Sequence, residues 1–124
     1  MTDNILVIDD DPVVQILFKD FLCSKGYTVH TAGTVAAGLD AISKLQPVVV
    51  MVDLLLPDGS GSDILAHLAE HPQRGRKTAS VVLSAHEDPR NLLPANVVAD
   101  EYLAKPFSMA KLLETVQRLL PPGS

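Results

Sequence analysis

The apolar run from Val48 to Val52 constrains the fold more than any other segment of this chain. The five residues are followed directly by Asp53 and contain no polar alternation. A continuous apolar run of this length is typical of a strand buried on both faces, as in the middle of a parallel sheet. Parallel strands require crossover connections, so the sequence predicts helices that cover both faces of the sheet.

The remainder of the chain fits this expectation, because short apolar runs alternate with segments of helical periodicity. Further strands are predicted at Ile5–Ile8, Tyr27–Thr31, Ala79–Leu83 and Glu101–Ala104. Helices are predicted after the caps Asp11, Thr34 and Ser108, around Ile64 and Leu68, and weakly at Asp88–Asn96. Five strands alternating with five helices predict a doubly wound α/β fold with right-handed crossovers.

Length and charge limit the classes of function. The 124 residues suggest one domain, residues 1–120, with 121–124 as a tail or linker stub. A net charge of −5 and the absence of a Lys/Arg run argue against binding of nucleic acid or an anionic membrane by this domain. No signal peptide or membrane-spanning run is recognised, so a cytoplasmic location is expected.

The cysteine and the histidines offer little chemistry at this stage. A single cysteine, Cys23, excludes an intrachain disulfide, and its place in the first helix predicts a buried structural thiol. His30, His67 and His71 are interpreted as surface or capping residues with no partner at ligand spacing. His86 is interpreted as a partly exposed loop residue.

Polar residues gather where the predicted strands end. Asp9 and Asp10 follow the first strand, Asp53 the third, Ser84 the fourth and Lys105 the fifth. Ligands of open parallel sheets bind at the carboxyl ends of the strands, so these side chains should converge. Three carboxylates in one place repel one another unless a cation lies among them, and Mg²⁺ suits an all-oxygen site. Asp53 could then act as a nucleophile toward a phosphoryl group.

Each of these residues alone has an ordinary structural explanation. An aspartate after a strand is most often a cap or loop residue, and Asp11 before Pro12 is expected to be a helix N-cap. The prediction of a functional pocket depends on the set as a whole, with each member at its own strand end.

The same segments resemble the receiver domains of two-component response regulators, over about residues 3–120. The matching pieces are Ile5-Leu-Val-Ile-Asp-Asp-Asp-Pro12, Asp53-Leu-Leu-Leu-Pro-Asp-Gly-Ser-Gly61, Leu83-Ser-Ala85 and Asp100-Glu-Tyr-Leu-Ala-Lys-Pro-Phe107. The resemblance implies the flavodoxin-like strand order 2-1-3-4-5. It also implies a Mg²⁺-dependent switch that takes a phosphoryl group from a histidine kinase or a histidine phosphotransfer protein. Such a domain catalyses only its own phosphorylation and dephosphorylation, and acts on a downstream effector or an attached output domain.

The resemblance further implies a role for each matching residue. Asp53 would be the phosphoacceptor, and Asp9, Asp10, Asp53 and the backbone carbonyl of Leu55 would hold Mg²⁺. Ser84 and Lys105 would contact the phosphoryl group. Ser84 and Tyr102 would form the switch, and the peptide bond between Lys105 and Pro106 would be cis.

Two departures from the family pattern bear on function. Pro94 falls inside the expected fourth helix, where proline removes a hydrogen bond and costs about 3 kcal/mol, so a short, shifted or mobile helix is expected. Leu55 is apolar and cannot orient an attacking water, which predicts slow self-dephosphorylation.

Three alternatives remain open from the sequence. A degenerate receiver would bind partners without phosphorylation, but no key position is missing. A phosphohydrolase with an aspartyl nucleophile would require an acid two residues after Asp53, where Leu55 stands. A nucleotide- or flavin-binding domain would require a glycine-rich phosphate loop after the first strand, where consecutive aspartates stand instead.

Overall fold

The computed structural model describes residues 4–71, 78–85, 93–94, 97–105 and 108–120. The strands are β1 (Asn4–Ile8), β2 (Thr28–Ala32), β3 (Val49–Asp53), β4 (Leu55–Leu56), β5 (Gly59–Ser60), β6 (Ala79–Ser84) and β7 (Glu101–Ala104). Five of them form one parallel sheet in the order β2-β1-β3-β6-β7. Counted along the sheet's own strands, this is the predicted order 2-1-3-4-5, which is therefore confirmed.

Four helices flank the sheet within the described ranges: α1 (Pro12–Ser24), α2 (Val35–Leu45), α3 (Gly61–Glu70) and α4 (Met109–Leu119). The predicted caps are confirmed, since the Asp11, Thr34 and Ser108 side chains accept hydrogen bonds from Val13, Ala37 and Lys111. Each cap satisfies a backbone N–H that has no partner within its helix. The predicted fourth helix, Asp88–Asn96, falls largely outside the described residues.

The buried residues form two layers, one on each face of the sheet. On one face, Ile5, Val7, Val49 and Met51 pack with Phe18 and Leu22 of α1 and with Leu112 and Val116 of α4. On the other face, Leu6, Ile8, Val50 and Val52 pack with Ile42 of α2 and with Ile64 and Leu68 of α3. Successive strand side chains point to opposite faces, so a run that is apolar throughout is buried on both. The interpretation of Val48–Val52 as a central strand is thereby confirmed.

A polar contact fixes the position of β7 and so of the residues that follow it. The Asp100 carboxylate accepts hydrogen bonds from the Ser80 backbone N–H, at 2.8 Å, and from the Ser80 hydroxyl, at 3.3 Å. The Asp100 N–H in turn donates to the Ser80 carbonyl at 3.0 Å. This clamp sets the register in which Ser84 lies opposite Ala104, one residue before Lys105.

Two expectations about local structure are wrong. The Pro, Gly and Ser residues of Pro57–Gly61 predict a loop, but Gly59–Ser60 within that segment pairs with Leu55–Leu56 as a small antiparallel hairpin. Cys23 is exposed rather than buried. Successive helical residues are rotated by about 100°, so Leu22 fills the core and its neighbour Cys23 is turned outward.

Candidate functional site

Asp9 is a fully buried carboxylate at the carboxyl end of β1. Its Oδ1 accepts a hydrogen bond from the Asp11 N–H at 2.9 Å, and its Oδ2 accepts one from Lys105 Nζ at 2.8 Å. Burial raises the pKa of the Asp9 carboxyl above its ordinary value, although the contacts with Lys105 and the Asp11 N–H oppose this effect. A carboxylate held in this way is costly to bury unless a cation lies beside it.

Asp53 lies at the end of β3, beside Asp9 on the same edge of the sheet. Its Oδ1 accepts the Leu55 N–H at 2.9 Å and its Oδ2 accepts Lys105 Nζ at 2.9 Å. About 15% of the Asp53 side chain remains accessible, compared with 0% for Asp9. Asp53 is thus the more accessible of the two carboxylates that contact the lysine.

Lys105 reaches this edge from the end of β7. Its backbone N–H donates to the Ser84 carbonyl at 2.7 Å, and its ammonium bridges Asp9 and Asp53. Burial by itself would lower the pKa of Lys105, but the hydrogen bonds and charges of the two carboxylates outweigh it and raise the pKa above 10.5. The ammonium therefore remains charged at neutral pH and offsets part of the negative charge.

Asp10 completes a set of three carboxylates. One oxygen from each of Asp9, Asp10 and Asp53 lies within 4.8 Å of the others. A hard divalent cation such as Mg²⁺ prefers carboxylate oxygens together with water, and Asp10 is exposed enough to leave room for water. The donor set fits Mg²⁺ and lacks the thiolate and imidazole ligands that softer metals favour.

The structure places the other predicted site residues around this edge. Ser84 is buried at the end of β6, one residue beyond Leu83, which pairs in register with Asp53. Tyr102 is half-buried in β7, and its hydroxyl accepts the Ala99 N–H at 3.3 Å. The side chain of Leu55 is exposed. The predicted cis bond between Lys105 and Pro106 lies outside the described residues.

The sequence interpretation missed three residues that shape the site. The Gln15 amide donates to the Asp9 carbonyl at 2.6 Å and so holds the end of β1. The Asp58 carboxylate accepts the N–H groups of Val35 and Ala36, at 2.7 and 3.0 Å, and caps α2 from the loop after Asp53. The Asp58 contacts join residues 22 and 23 apart in sequence, and the Gln15 contact joins the first turn of α1 to the residue after β1, so no pattern within one element reveals them.

Gly61 is the third missed residue, and its contact is steric. A Cβ on Gly61 would collide with the backbone carbonyl of Asp53 and would lie 3.0 Å from Val52 Cγ2. The start of α3 can therefore approach the phosphoacceptor candidate this closely only because residue 61 lacks a side chain. The glycine in the segment after Asp53 was a signal that could have suggested this approach.

An exposed apolar patch lies on α1, the helix that follows the acidic pair. Val13, Ile16 and Leu17 are 59%, 61% and 52% exposed, and Leu55, after Asp53, is 78% exposed. The stripe on α1 follows helical spacing and lies outside both core layers.

Comparison with known proteins assigns this arrangement to a family. The family model of the response regulator receiver domain matches residues 5–117. The chain belongs to the response regulator receiver domain family. Its acidic pocket of Asp9, Asp10 and Asp53 accords with the phosphoacceptor site of such a domain, and it is a signalling module of two-component systems rather than a metabolic enzyme.

Individual relatives agree with this assignment. The transcriptional regulatory protein KdpE of Mycobacterium tuberculosis is 43% identical over 111 residues, which cover 88% of this chain and 47% of KdpE. The receiver domain therefore spans about half the length of the curated relatives it matches. The chemotaxis response regulator CheY4 of Vibrio cholerae superposes with a TM-score of 0.86 at 26% identity, covering 97% of this chain and 100% of CheY4.

A third relative was solved with ligands. The response regulator TrrA of Thermotoga maritima, in complex with Mg²⁺ and BeF, has a TM-score of 0.83 and 28% identity, with 96% of this receiver domain and 100% of TrrA covered.

In the described part of this receiver domain, no helix is both long and apolar enough to cross a membrane.

Proposed function

We propose that this receiver domain accepts a phosphoryl group on Asp53 from a phosphohistidine of a histidine kinase or a histidine phosphotransfer protein. The observation that carries the proposal is the bridge formed by Lys105 Nζ, 2.8 Å from Asp9 and 2.9 Å from Asp53. It places a fixed positive charge beside the accessible carboxylate, where the oxygens of an incoming phosphoryl group would accumulate negative charge.

In the proposed step, a carboxylate oxygen of Asp53 attacks the phosphorus in line with the bond to the donor's imidazole nitrogen. A P–O bond forms at Asp53, the P–N bond breaks, and the imidazole leaves with the electron pair and takes up a proton from solvent water. Lys105 exchanges its contact with Asp53 Oδ2 for one with a phosphoryl oxygen. This chemistry requires positioning and charge stabilisation more than a separate acid or base.

Asp9, Asp10 and Asp53 would hold Mg²⁺, together with the backbone carbonyl of Leu55. When bound, the ion supplies positive charge that neutralises the phosphoryl oxygens. The closeness of the three carboxylates supports this assignment, since a cation among them would offset their mutual repulsion. The complex of TrrA with Mg²⁺ supports it by family likeness.

Phosphorylation would change the pocket by adding a charge of roughly −1.5 to −2 at Asp53. Ser84 ends β6 directly after Leu83, which is the register partner of Asp53, and would donate its hydroxyl to the new group. Tyr102 lies on the neighbouring strand β7 and would respond to that movement. We propose that these two residues transmit the switch to an effector or to an attached output domain.

The exposed apolar patch of α1 supports a protein as the phosphodonor. Val13, Ile16 and Leu17 are exposed on the helix that begins just after the acidic pair. A helical partner docked there would bring its histidine to the mouth of the pocket. Exposed apolar surface of this kind commonly marks a protein interface.

The proposal is tested by intact mass after incubation with a small-molecule phosphodonor such as acetyl phosphate, with and without Mg²⁺. We expect a gain of one phosphoryl group that requires Mg²⁺ and is absent in Asp53→Asn. The matched control is Asp63→Asn, because Asp63 is an exposed carboxylate in the first turn of α3, outside the three-carboxylate set. No gain with any donor would favour the alternative of a phosphorylation-independent interaction module.

A further inference from the structure

The Asp58 carboxylate joins two elements that are far apart in the sequence. Its Oδ1 accepts the Val35 N–H at 2.7 Å, and its Oδ2 accepts the Ala36 N–H at 3.0 Å. Asp58 lies in the turn of the hairpin formed by residues 55–60, whereas Val35 and Ala36 begin α2. Both oxygens of one side chain therefore tie the tip of the hairpin to the start of the helix.

This tie is a second cap of α2, supplied from outside the helix. The N-cap residue itself, Thr34, accepts the Ala37 N–H at 3.0 Å. The two N–H groups that Asp58 accepts hold the pKa of its carboxyl below the ordinary value, so the side chain is ionised at neutral pH. A negative charge at the N-terminus of a helix interacts favourably with the helix dipole. Hydrogen bonds to an ionised acceptor are also roughly twice as strong as neutral ones.

The hairpin end of the tie carries Leu55, whose backbone carbonyl is the proposed fourth ligand of Mg²⁺. Each strand of the hairpin has only two residues, and an isolated two-stranded hairpin is marginally stable in water. The hairpin therefore depends on contacts with the rest of the protein to keep its position. At its base the Leu55 N–H donates to Asp53 Oδ1 at 2.9 Å, and at its tip Asp58 holds it to α2.

The helix end of the tie leads to the acidic pair. A Cβ on Gly38 of α2 would lie 2.7 Å from Ile8 Cδ1, so the helix is in close contact with the end of β1. Ile8 is followed directly by Asp9 and Asp10. A continuous path of contacts thus runs from the acidic pair through β1, α2 and Asp58 to the hairpin.

We propose that Asp58 is a positioning residue for the Mg²⁺ site, which holds the Leu55 carbonyl in place relative to Asp9 and Asp10. The two aspartates would bind the ion from the end of β1, whereas the carbonyl would bind it from the hairpin. The inference rests on the proposed function, since it takes this carbonyl as a ligand. Loss of the tie should leave the carboxylates in place and weaken the binding of the ion.

The test is titration of the full chain with Mg²⁺, followed by the NMR signals of the Asp53 and Leu55 backbone amides. We expect Asp58→Ala to raise the dissociation constant for Mg²⁺ about tenfold, the low end of the range for residues that support metal ligands. Asp58→Asn keeps one of the two carboxylate oxygens and should have an intermediate effect. The matched control is Thr34→Ala, which removes the other cap of the same helix, leaves the tie to the hairpin intact and should keep the wild-type affinity.

A second measurement separates positioning of the ion from damage to the pocket. The rate of phosphorylation by acetyl phosphate is measured as a function of Mg²⁺ concentration. Asp58→Ala should require about tenfold more Mg²⁺ for the half-maximal rate and should approach the wild-type rate at saturation, because Asp53 and Lys105 are unchanged.

The outcomes distinguish this inference from the proposed function. Equal Mg²⁺ affinities of Asp58→Ala and Thr34→Ala would overturn the positioning role, whatever the phosphorylation rates. A wild-type protein that binds Mg²⁺ and takes up no phosphoryl group would instead contradict the proposed function, and the Mg²⁺ titrations of the variants would still decide the role of Asp58.

Discussion

Lys105 and Asp53 are 52 residues apart in the sequence, and their side chains form an ion pair of 2.9 Å at the carboxyl edge of the sheet. The same ammonium contacts Asp9, which is 96 residues away. One cation therefore joins the ends of three strands, β1, β3 and β7. The arrangement brings a positive charge and two carboxylates together at the edge where we propose that the phosphoryl group is accepted.

Replacing the bridging lysine should make the fold depend on a metal. Lys105→Met leaves Asp9 buried beside Asp53 with no cation, which should lower the free energy of unfolding by about 3 kcal/mol in the presence of a chelator, the low end for a broken buried pair because Lys105 is partly accessible. Mg²⁺ binds only the folded state and so raises the unfolding temperature. The rise should be larger in this variant than in the wild-type protein, because the carboxylates have lost the ammonium that offsets their repulsion and should bind the ion more tightly. Thermal unfolding with EDTA and with Mg²⁺ measures both effects.

Lys44→Met is the control for that prediction. Lys44 pairs with Asp40 at 3.0 Å on the exposed face of α2, where an ion pair contributes little. We expect its stability to stay within about 0.5 kcal/mol of the wild-type value. If Lys105→Met and Lys44→Met are equally stable without metal, the Lys105 ammonium does not stabilise the fold through Asp9 and Asp53.

The missing side chain of Gly61 should matter because α3 begins against Asp53. Gly61→Ala places a methyl group against the Asp53 carbonyl, so we expect a loss of about 1–3 kcal/mol in unfolding free energy and slower phosphorylation. Gly33→Ala is the matched control, since its Cβ would have its nearest neighbour, Gln15 Nε2, at an ordinary 3.6 Å. Chemical denaturation and phosphorylation rates compare the two. Equal unfolding free energies and equal phosphorylation rates in the two variants would show that α3 can move away from Asp53 at no cost.

The cap that Asp58 provides for α2 should make stability depend on pH. Hydrogen bonds from the Val35 and Ala36 N–H groups hold the pKa of the Asp58 carboxyl below its ordinary value of 3.8. A lowered folded-state pKa stabilises the fold above the unfolded-state value, and this contribution disappears as the pH falls through the folded-state pKa. Asp58→Asn should therefore lower the unfolding temperature at neutral pH, and the difference should shrink at a pH below 3.8.

Asp40→Asn tests whether any exposed aspartate near α2 behaves in the same way. Asp40 lies within α2 and contacts Lys44 at the surface, so we expect a small change at every pH. A pH-independent difference between Asp58→Asn and the wild-type protein would contradict the capping role of the carboxylate. Thermal unfolding of the three proteins across the acid range provides the comparison.

The sheet and the polar residues at its edge could be predicted because they depend on local patterns. The run from Val48 to Val52 must be buried on both faces, so the strand that ends at Asp53 lies inside the sheet. Residues that follow parallel strands share one edge, which brings Lys105 to Asp53. These conclusions require only the period of the strands and the direction of the chain.

The contacts that the sequence did not reveal join distant segments or depend on side-chain rotation. Asp58 caps a helix that begins 23 residues before it. In the sequence, an aspartate before a glycine is typical of an ordinary turn, so nothing near Asp58 indicates the cap. Cys23 was expected to be buried because it falls on the apolar stripe of the predicted first helix, but α1 packs with Phe18 and Leu22 inward and leaves Cys23 exposed. The rings of His67 and His71 stack with their centroids 4.3 Å apart, a contact that their spacing of four residues in a helix could have predicted.

Chemical location of the modified residue tests whether Asp53 receives the phosphoryl group. Borohydride reduces an aspartyl phosphate to homoserine, so the protein is treated with acetyl phosphate and Mg²⁺, reduced, digested and sequenced by mass spectrometry. We expect homoserine at position 53, and none when Mg²⁺ is omitted. Homoserine at Asp9, Asp10 or another carboxylate, with Asp53 unchanged, would contradict it.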